Sequence, residues 1–237
     1  MIRSHDEREM PVEGDALYLM HYLRERQEPL SREELKNLIA FHRTYGSRKI
    51  LNGVVHDWVR RFPEDREALW ALTQAQKADG QLESAMTTLR PLLRDEPNNP
   101  HYLLMAADLE WALYQLQRSY LSQASNKRAL ALLERLLEVE VDNKAKVYQK
   151  IAQVYAMDWD YVTSLRFLEQ AAESDTQGEE NGAASDVLWV EAAQTAIEIE
   201  EFGKARLYLL KALAQNPQNA SAKQLLRELP MLDMSPL

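Results

Sequence analysis

The chain has 237 residues, of which 46% are hydrophobic and 27% are charged, so it carries enough apolar material to bury a sizeable core. It has no cysteine, which excludes disulfides, thiolate metal sites and cysteine nucleophiles. Its 28 basic and 37 acidic residues give a formal charge of −9, so the molecule as a whole repels nucleic acid and anionic lipid.

The composition favours helices throughout. Only seven glycines and nine prolines accompany abundant Ala, Leu, Glu, Gln and Arg, which lose little side-chain freedom in a helix. No long run shows the strict alternation of a half-buried strand, and no apolar run approaches the ~20 residues of a membrane span. The amino terminus lacks the basic start and long apolar stretch of a secretory signal. We therefore expect an all-α protein without membrane insertion, cytoplasmic, or periplasmic if the sequence is a processed fragment.

The first segment, residues 1–31, is expected to contain a capping helix over Asp15–Arg26. An alternative interpretation makes the apolar stretch Ala16–Leu23 an arm that binds a partner. Ser31 and Glu34 have the spacing of a capping box, in which each residue satisfies a backbone N–H near the start of a helix. A new helix is therefore predicted to begin directly after Ser31.

Residues 66–99 show the clearest pattern of the chain. Apolar residues recur at helical spacing on both sides of Gly80, which predicts two antiparallel helices joined by a tight turn. Gly80 can adopt the positive φ that ends the first helix. Pro97 stops the second helix, and Asn99 with Pro100 provides the cap and first turn of the next one.

The same pattern recurs along the chain. Small residues fall at one position of each second helix, where two helices must approach closely: Ala85, Ala129, Ser164 and Ala205. The predicted organisation is repeats at about 32–65, 66–99, 100–143, 145–178 and 186–219, followed by a capping helix at 220–229 and a tail at 230–237.

Two segments depart from an even spacing. Between Leu113 and Ser125 the first helix of the 100–143 unit is expected to run on for two or more further turns before the sequence SQASNK breaks it. Residues Ser174–Ser185 combine turn formers with negative charge and lack apolar periodicity, so they are predicted to form a loop.

These residues resemble the tetratricopeptide repeat, a helix-turn-helix unit of about 34 residues. The resemblance covers about Arg32 to Leu229 and is strongest in the copies that begin near Arg66 and Asp186. It implies a right-handed superhelix, an α-α solenoid of about four to five repeats with capping helices at its ends, because a single hairpin cannot bury both of its faces.

The resemblance also implies a concave groove lined by the first helix of each repeat. The corresponding positions are Trp70, Gln74, Lys77, Leu104, Asp108, Trp111, Gln149, Gln153, Val190, Gln194 and Ile197. Trp70 and Trp111 fall outside the main packing positions and are candidate anchors for a peptide; alternatively, they pack on the terminal helix or on each other. Members that grip a terminal carboxylate carry Lys, Asn and Arg at positions where this chain has Trp70, Gln74 and Leu104, so no carboxylate clamp is expected.

No pattern for catalysis, metal or cofactor binding emerges from the sequence. The five histidines are scattered without metal-ligand spacing, and there is no phosphate loop, dinucleotide fingerprint or nucleophile elbow. The acidic runs at 138–142 and 198–201 are typical of solvated helix faces. We therefore expect no enzymatic activity, no metal and no cofactor.

The predicted function is a non-enzymatic scaffold, adaptor or assembly chaperone that binds a partner polypeptide in the groove. A weaker resemblance, in the order of regular and extended repeats, is to the repeat domains that hold apocytochrome in bacterial cytochrome c maturation. A further alternative is a structural subunit of a bacterial secretion, pilus or envelope-polymer machine. That subunit would make its contacts through the convex face, the 113–125 extension or the termini, and could form a homo-oligomer.

Overall fold

The computed structural model describes residues 30–45, 48–117, 123–139, 141, 143–175 and 183–230. All regular secondary structure in these ranges is α-helical, which confirms the predicted all-α class. The predicted helix at Asp15–Arg26, the alternative arm at Ala16–Leu23 and residues 231–237 of the predicted tail lie outside the described residues.

The described helices are short and follow one another closely. In chain order they are α1 (Arg32–Tyr45), α2 (Arg48–Arg61), α3 (Arg66–Ala78), α4 (Leu82–Asp95), α5 (Pro100–Gln117), α6 (Gln123–Glu138), α7 (Lys144–Met157), α8 (Tyr161–Asp175), α9 (Ala183–Glu198), α10 (Phe202–Gln215) and α11 (Ala220–Glu228). The chain forms two compact units, Met1–Leu92 and Leu93–Leu237.

The unit Met1–Leu92 has a core between α1, α2 and α3, built around the buried side chains of Leu35, Val55 and Trp58. Its first described helix starts with the predicted capping box: the Ser31 amide donates to Glu34 Oε2 at 2.8 Å, and the Glu34 amide donates to Ser31 Oγ at 3.3 Å. Two orphan donors at the helix start are thereby satisfied.

Asp65 organises the start of α3 in the same unit. Its carboxylate accepts hydrogen bonds from the Glu67 amide at 3.0 Å, from Trp58 Nε1 at 3.1 Å and from Arg32 Nη2 at 3.1 Å. The hydrogen bond from Arg32 holds the pKa of the Asp65 carboxyl below its ordinary value, although partial burial opposes this. One carboxylate thus joins the starts of α1 and α3 to the buried Trp58.

The unit Leu93–Leu237 contains two apolar clusters. One lies between α5, α6 and α7 around Leu103, Leu133 and Ile151. The other spans α7 to α11 and includes Trp189, which stacks on Tyr208 with ring centroids 5.5 Å apart. Tyr148, Tyr155 and Phe202 pack against these clusters.

The small residues that set the predicted repeat are all fully buried. Ala85, Ala129, Ser164 and Ala205 are each at most 1% exposed. Because a larger side chain would collide with the neighbouring helix at these points, the small residues permit the close approach of α4, α6, α8 and α10 to their partners. The grouping of helices into five repeats with the stated bounds and the handedness of the superhelix remain predictions.

Three hairpin turns share one hydrogen-bond pattern. At α3–α4 the Gly80 amide bonds to Lys77 O and the Gln81 amide to Gln76 O; the amide pairs of Trp159 and Asp160 at α7–α8, and of Glu200 and Glu201 at α9–α10, bond in the same way. This is the Schellman ending of a helix, which places one residue in the left-handed region. The φ values of Gly80, Trp159 and Glu200 are 74°, 63° and 61°.

Two local predictions were wrong in extent. Gln123–Lys127 is helical instead of breaking the chain, because the buried Asn126 donates to Asp158 and ties the start of α6 to the α7–α8 turn. Ala183–Ser185 belongs to α9, where the buried Ser185 hydroxyl donates to Ala172 O at 3.4 Å. The first helix of the 100–143 unit extends past Leu113 to Gln117, and the further turns predicted beyond it lie outside the described residues.

Candidate functional site

The residues predicted to line a groove fall in both units, and α3 holds three of them. Trp70, Gln74 and Lys77 are each half-buried on this helix. Gln74 Oε1 is buried without a hydrogen-bond partner, whereas Gln76 on the same helix accepts a hydrogen bond from Thr88 Oγ1 at 2.8 Å. The buried Gln74 oxygen is an acceptor that an incoming donor would satisfy.

In the unit Leu93–Leu237 the first helices α5, α7 and α9 lie side by side, joined by polar side chains. Lys150 Nζ on α7 lies 2.6 Å from Asp108 Oδ1 on α5. Gln149 Nε2 on the same helix lies 2.9 Å from both carboxylate oxygens of Glu191 on α9. Two predicted site residues, Asp108 and Gln149, therefore already contribute polar groups to contacts between helices.

The predicted apolar positions of this unit are packed to different degrees. Val190 is buried and Ile197 is half-buried, both against the Trp189 cluster. Leu104 is half-buried against the Leu103 cluster. These side chains chiefly hold the first helices in place.

Trp111 is half-buried, packs against the Leu103 cluster and stacks on Tyr114 with ring centroids 6.0 Å apart. A cavity of about 20 Å³ lies beside its ring, bounded in part by Asp108, Lys150 and Gln153. That volume accommodates a water molecule but no side chain. Trp111 can therefore offer the exposed part of its ring as a surface, whereas the cavity itself cannot take up a peptide side chain.

Gln153 on α7 and Gln194 on α9 are exposed. Each lies four residues after a position that packs inside the unit, Gln149 and Val190 respectively, and therefore on the same face of its helix. We call Trp111, Gln153 and Gln194 the first-helix surface. It combines a partly exposed aromatic ring with two amides that can donate and accept hydrogen bonds.

Other polar contacts are structural. Arg128 Nε and Nη2 donate to the two oxygens of the largely buried Glu110 at 2.8 Å each, and this hydrogen bonding raises the pKa of Arg128. Burial raises the pKa of the Tyr208 hydroxyl, which donates a hydrogen bond to Glu169. Both contacts join neighbouring helices.

Trp159 at the α7–α8 turn is 79% exposed and was not among the predicted site residues. The signal was present in the sequence, because Trp159 follows Asp158 as Gly80 follows Asp79. Alignment of the two turns would have shown a bulky residue at a glycine position.

Within the described ranges, no cluster of three or more His, Asp or Glu side chains is arranged to hold a metal ion. In the same ranges, no helix has the length and apolar character needed to cross a membrane.

No protein-family model and no curated protein sequence matches this chain. Solved structures do match it in fold. The TPR protein TTC0263 from Thermus thermophilus superimposes with a TM-score of 0.58 at 17% identity, over 84% of this chain and 98% of that one. MamA from Desulfovibrio magneticus RS-1 matches with a TM-score of 0.62 at 15% identity, over 80% and 97%. YrrB, described as a TPR protein with an unusual peptide-binding site, matches with a TM-score of 0.58 at 16% identity, over 88% and 97%.

Helix order, buried small residues and these matches define the class: an α-helical repeat protein. More particularly, its fold is that of the tetratricopeptide-repeat proteins, as the sequence resemblance indicated. At these identities the likeness identifies the fold and no activity.

Proposed function

We propose that the protein is a non-enzymatic scaffold that binds a segment of a partner polypeptide on its first-helix surface. The observation that carries the proposal is the side-by-side fixation of α5, α7 and α9 by the Lys150–Asp108 and Gln149–Glu191 contacts. Fixed helices present Trp111, Gln153 and Gln194 with little reorganisation, and a preorganised surface loses less free energy on binding. The similar structure of YrrB, with its stated peptide-binding site, agrees with this use of the fold.

The chemistry of the surface suits an extended peptide. The amides of Gln153 and Gln194 can pair with backbone groups of a bound chain, and the Trp111 ring can cover an apolar side chain. Hot spots of peptide interfaces are rich in tryptophan for this reason. The ion pair beside Trp111 is satisfied internally, so the surface does not require a charged ligand.

The test uses a peptide selected on the full-length chain by display of a random library. Its Kd is measured by calorimetry for the wild type, for Trp111→Ala and for the double variant Gln153→Ala, Gln194→Ala. Loss of a central aromatic anchor should weaken binding by about 1 to 3 kcal/mol. The matched control is Leu207→Ala, which removes an apolar side chain 52% exposed on the second helix α10 and should leave the Kd unchanged.

Trp111 also packs inside the unit, so the fold of each variant is checked by its unfolding transition. Gln153 and Gln194 are exposed, so their substitution tests binding without removing a side chain that packs inside the unit. An unchanged Kd in both the folded Trp111→Ala variant and the double glutamine variant would refute the first-helix surface. The variant Trp70→Ala tests separately whether the α3 residues contribute.

The same measurement addresses the narrower function inferred from the weaker resemblance. Apocytochrome tail peptides are titrated into the wild type in competition with the selected peptide. Displacement would support an apocytochrome-holding role, and its absence would remove that role while leaving a general scaffold intact.

A further inference from the structure

The turn between α7 and α8 carries a bulky side chain where the backbone favours glycine. Trp159 has φ 63°, a left-handed backbone conformation that residues with a side chain adopt only at a steric cost. Gly80 completes an equivalent Schellman turn with φ 74° and no side chain. The turn itself therefore does not require a tryptophan.

The exposure of apolar surface to water is a second cost, in addition to the backbone strain. Trp159 is 79% exposed, and Val162 on the first turn of α8 is 68% exposed. The Tyr161 ring meets the indole edge-on at 6.0 Å. We call Trp159, Tyr161 and Val162 the turn patch. Backbone strain and an exposed aromatic surface together point to binding, since strained residues are concentrated at functional sites.

The turn is held from two sides. The Tyr114 hydroxyl on α5 donates to Asp158 Oδ1 at 2.7 Å, and the Asn126 amide on α6 donates to Asp158 Oδ2. Asp160 accepts from the Thr163 amide at 3.0 Å and caps α8. Contacts with α5 and α6 thus hold the turn on one side of Trp159, and the cap of α8 holds it on the other.

The negative charge beside the turn patch indicates which kind of ligand it would bind. Asp158 and Asp160 flank Trp159 in sequence, both residues are exposed, and the donors to them in the contacts above are all neutral. An exposed aromatic ring attracts a cation through its π face, and acidic residues adjacent to it in sequence add Coulomb attraction. Anionic lipid is repelled by the same carboxylates and by the net charge of −9.

We propose that the turn patch, with Asp158 and Asp160, is a docking site for a Lys- or Arg-bearing segment of a partner polypeptide. The guanidinium or ammonium group stacks on Trp159 while the carboxylates neutralise its charge. The site is formed by a turn and its flanking residues, and it stands independently of the first-helix surface.

The experiment follows the indole N–H signals of the ¹⁵N-labelled full chain by NMR while a blocked tetra-arginine peptide is added. The signal that disappears in Trp159→Gly identifies Trp159. We expect a saturable shift of this signal in the wild type, and, by fluorescence anisotropy of labelled peptide, a Kd raised about threefold or more in Trp159→Gly. Glycine suits the left-handed backbone, so the variant keeps the turn.

Two further variants separate specific docking from attraction to an acidic protein. Asp160→Asn keeps the capping oxygen but removes the charge, and should weaken binding about twofold. Glu200→Gly removes a carboxylate and a side chain from the equivalent α9–α10 turn and should bind as the wild type does.

Equal affinity of Trp159→Gly and wild type would overturn the proposal. So would a Trp159 signal that responds to vesicles of phosphatidylcholine and phosphatidylglycerol, or to increasing protein concentration, but not to the peptide. A response to vesicles would assign the patch to a membrane surface, and a response to protein concentration would assign it to a second copy of this chain.

Discussion

Trp159 and Gly80 occupy the same position of two hairpin turns, with φ 63° and 74° and the same amide-to-carbonyl hydrogen bonds. Glu200 takes this position in a third turn with φ 61°. One backbone conformation is thus filled by three very different residues. The turn therefore requires the left-handed backbone conformation but no particular side chain.

The protein should be more stable with glycine than with alanine at each of these three positions. The free energy of unfolding should be about 1 kcal/mol higher for Trp159→Gly and Glu200→Gly than for the alanine variants at the same positions. Gly80→Ala should have a free energy of unfolding lower than that of the wild type by a similar amount. A Cβ at Gly80 would meet no atom within 4 Å, so its cost is conformational. Urea unfolding at constant pH measures these differences, and alanine variants as stable as the glycine ones would contradict the assigned turn geometry.

The Asp65 charge should stabilise the protein only above acidic pH. Because the hydrogen bond from Arg32 lowers the pKa of Asp65, the carboxylate contributes stability above its unfolded value of about 3.9, and loses it as pH falls through the lower folded value. Asp65→Asn keeps Oδ1 for the Glu67 amide, replaces the oxygen that accepts from Trp58 Nε1 with an amide nitrogen, and removes the charge. We expect the free energy of unfolding of the variant to be lower by about 1 kcal/mol at neutral pH. The effect is small because Arg32 is exposed to solvent.

The measurement is the free energy of unfolding of wild type and Asp65→Asn from pH 7 to pH 2. The difference between them should begin to shrink below about pH 4, where Asp65 of the unfolded chain takes up a proton, and should shrink further as the pH falls through the lowered pKa of folded Asp65. A difference that is constant with pH would show that the charge is not the source of the stability. The control is Glu64→Gln, an exposed neighbour for which no deficit is expected.

Much of this architecture was accessible from the sequence because its signals are local. Gly80, the Ser31–Glu34 capping box and the Asn99–Pro100 helix start act through residues within one turn of the chain, and each is found as predicted. The buried small residues, such as Ala205, also followed from sequence, since only small side chains allow helices to approach so closely.

The details that sequence could not supply depend on distances between helices. Lys150 and Asp108 are 42 positions apart, and only the packing of α7 beside α5 brings them together. The helical state of Gln123–Lys127 likewise depends on the tertiary contact of Asn126 with Asp158. The positions of the first-helix surface came from the resemblance, and their role in binding remains a prediction.

The Tyr114–Asp158 hydrogen bond should control local opening of the α7–α8 turn. Tyr114→Phe removes the donor while keeping the ring that stacks on Trp111, and should cost about 0.5–1.5 kcal/mol. Hydrogen exchange of the Trp159 and Asp160 amides should quicken by a corresponding factor. The exchange of the Glu200 amide in the α9–α10 turn provides the internal reference. Equal acceleration at both turns would indicate a global loss of stability instead of a loosened turn.

Close helix approach makes a specific prediction for α10. Ala205 is fully buried where α9 and α10 pack, whereas Ala214 on the same helix is exposed. Leucine at position 205 adds three carbon atoms to a site without space, and overpacking of this kind costs about 1–3 kcal/mol. Leucine at position 214 has the same chemical change and helix propensity and should change stability by less than about 0.5 kcal/mol. Thermal unfolding of the two variants gives the comparison. If Ala205→Leu proved as stable as Ala214→Leu, the small side chain would not be what permits the contact, and the repeat spacing inferred from it would lose its physical basis.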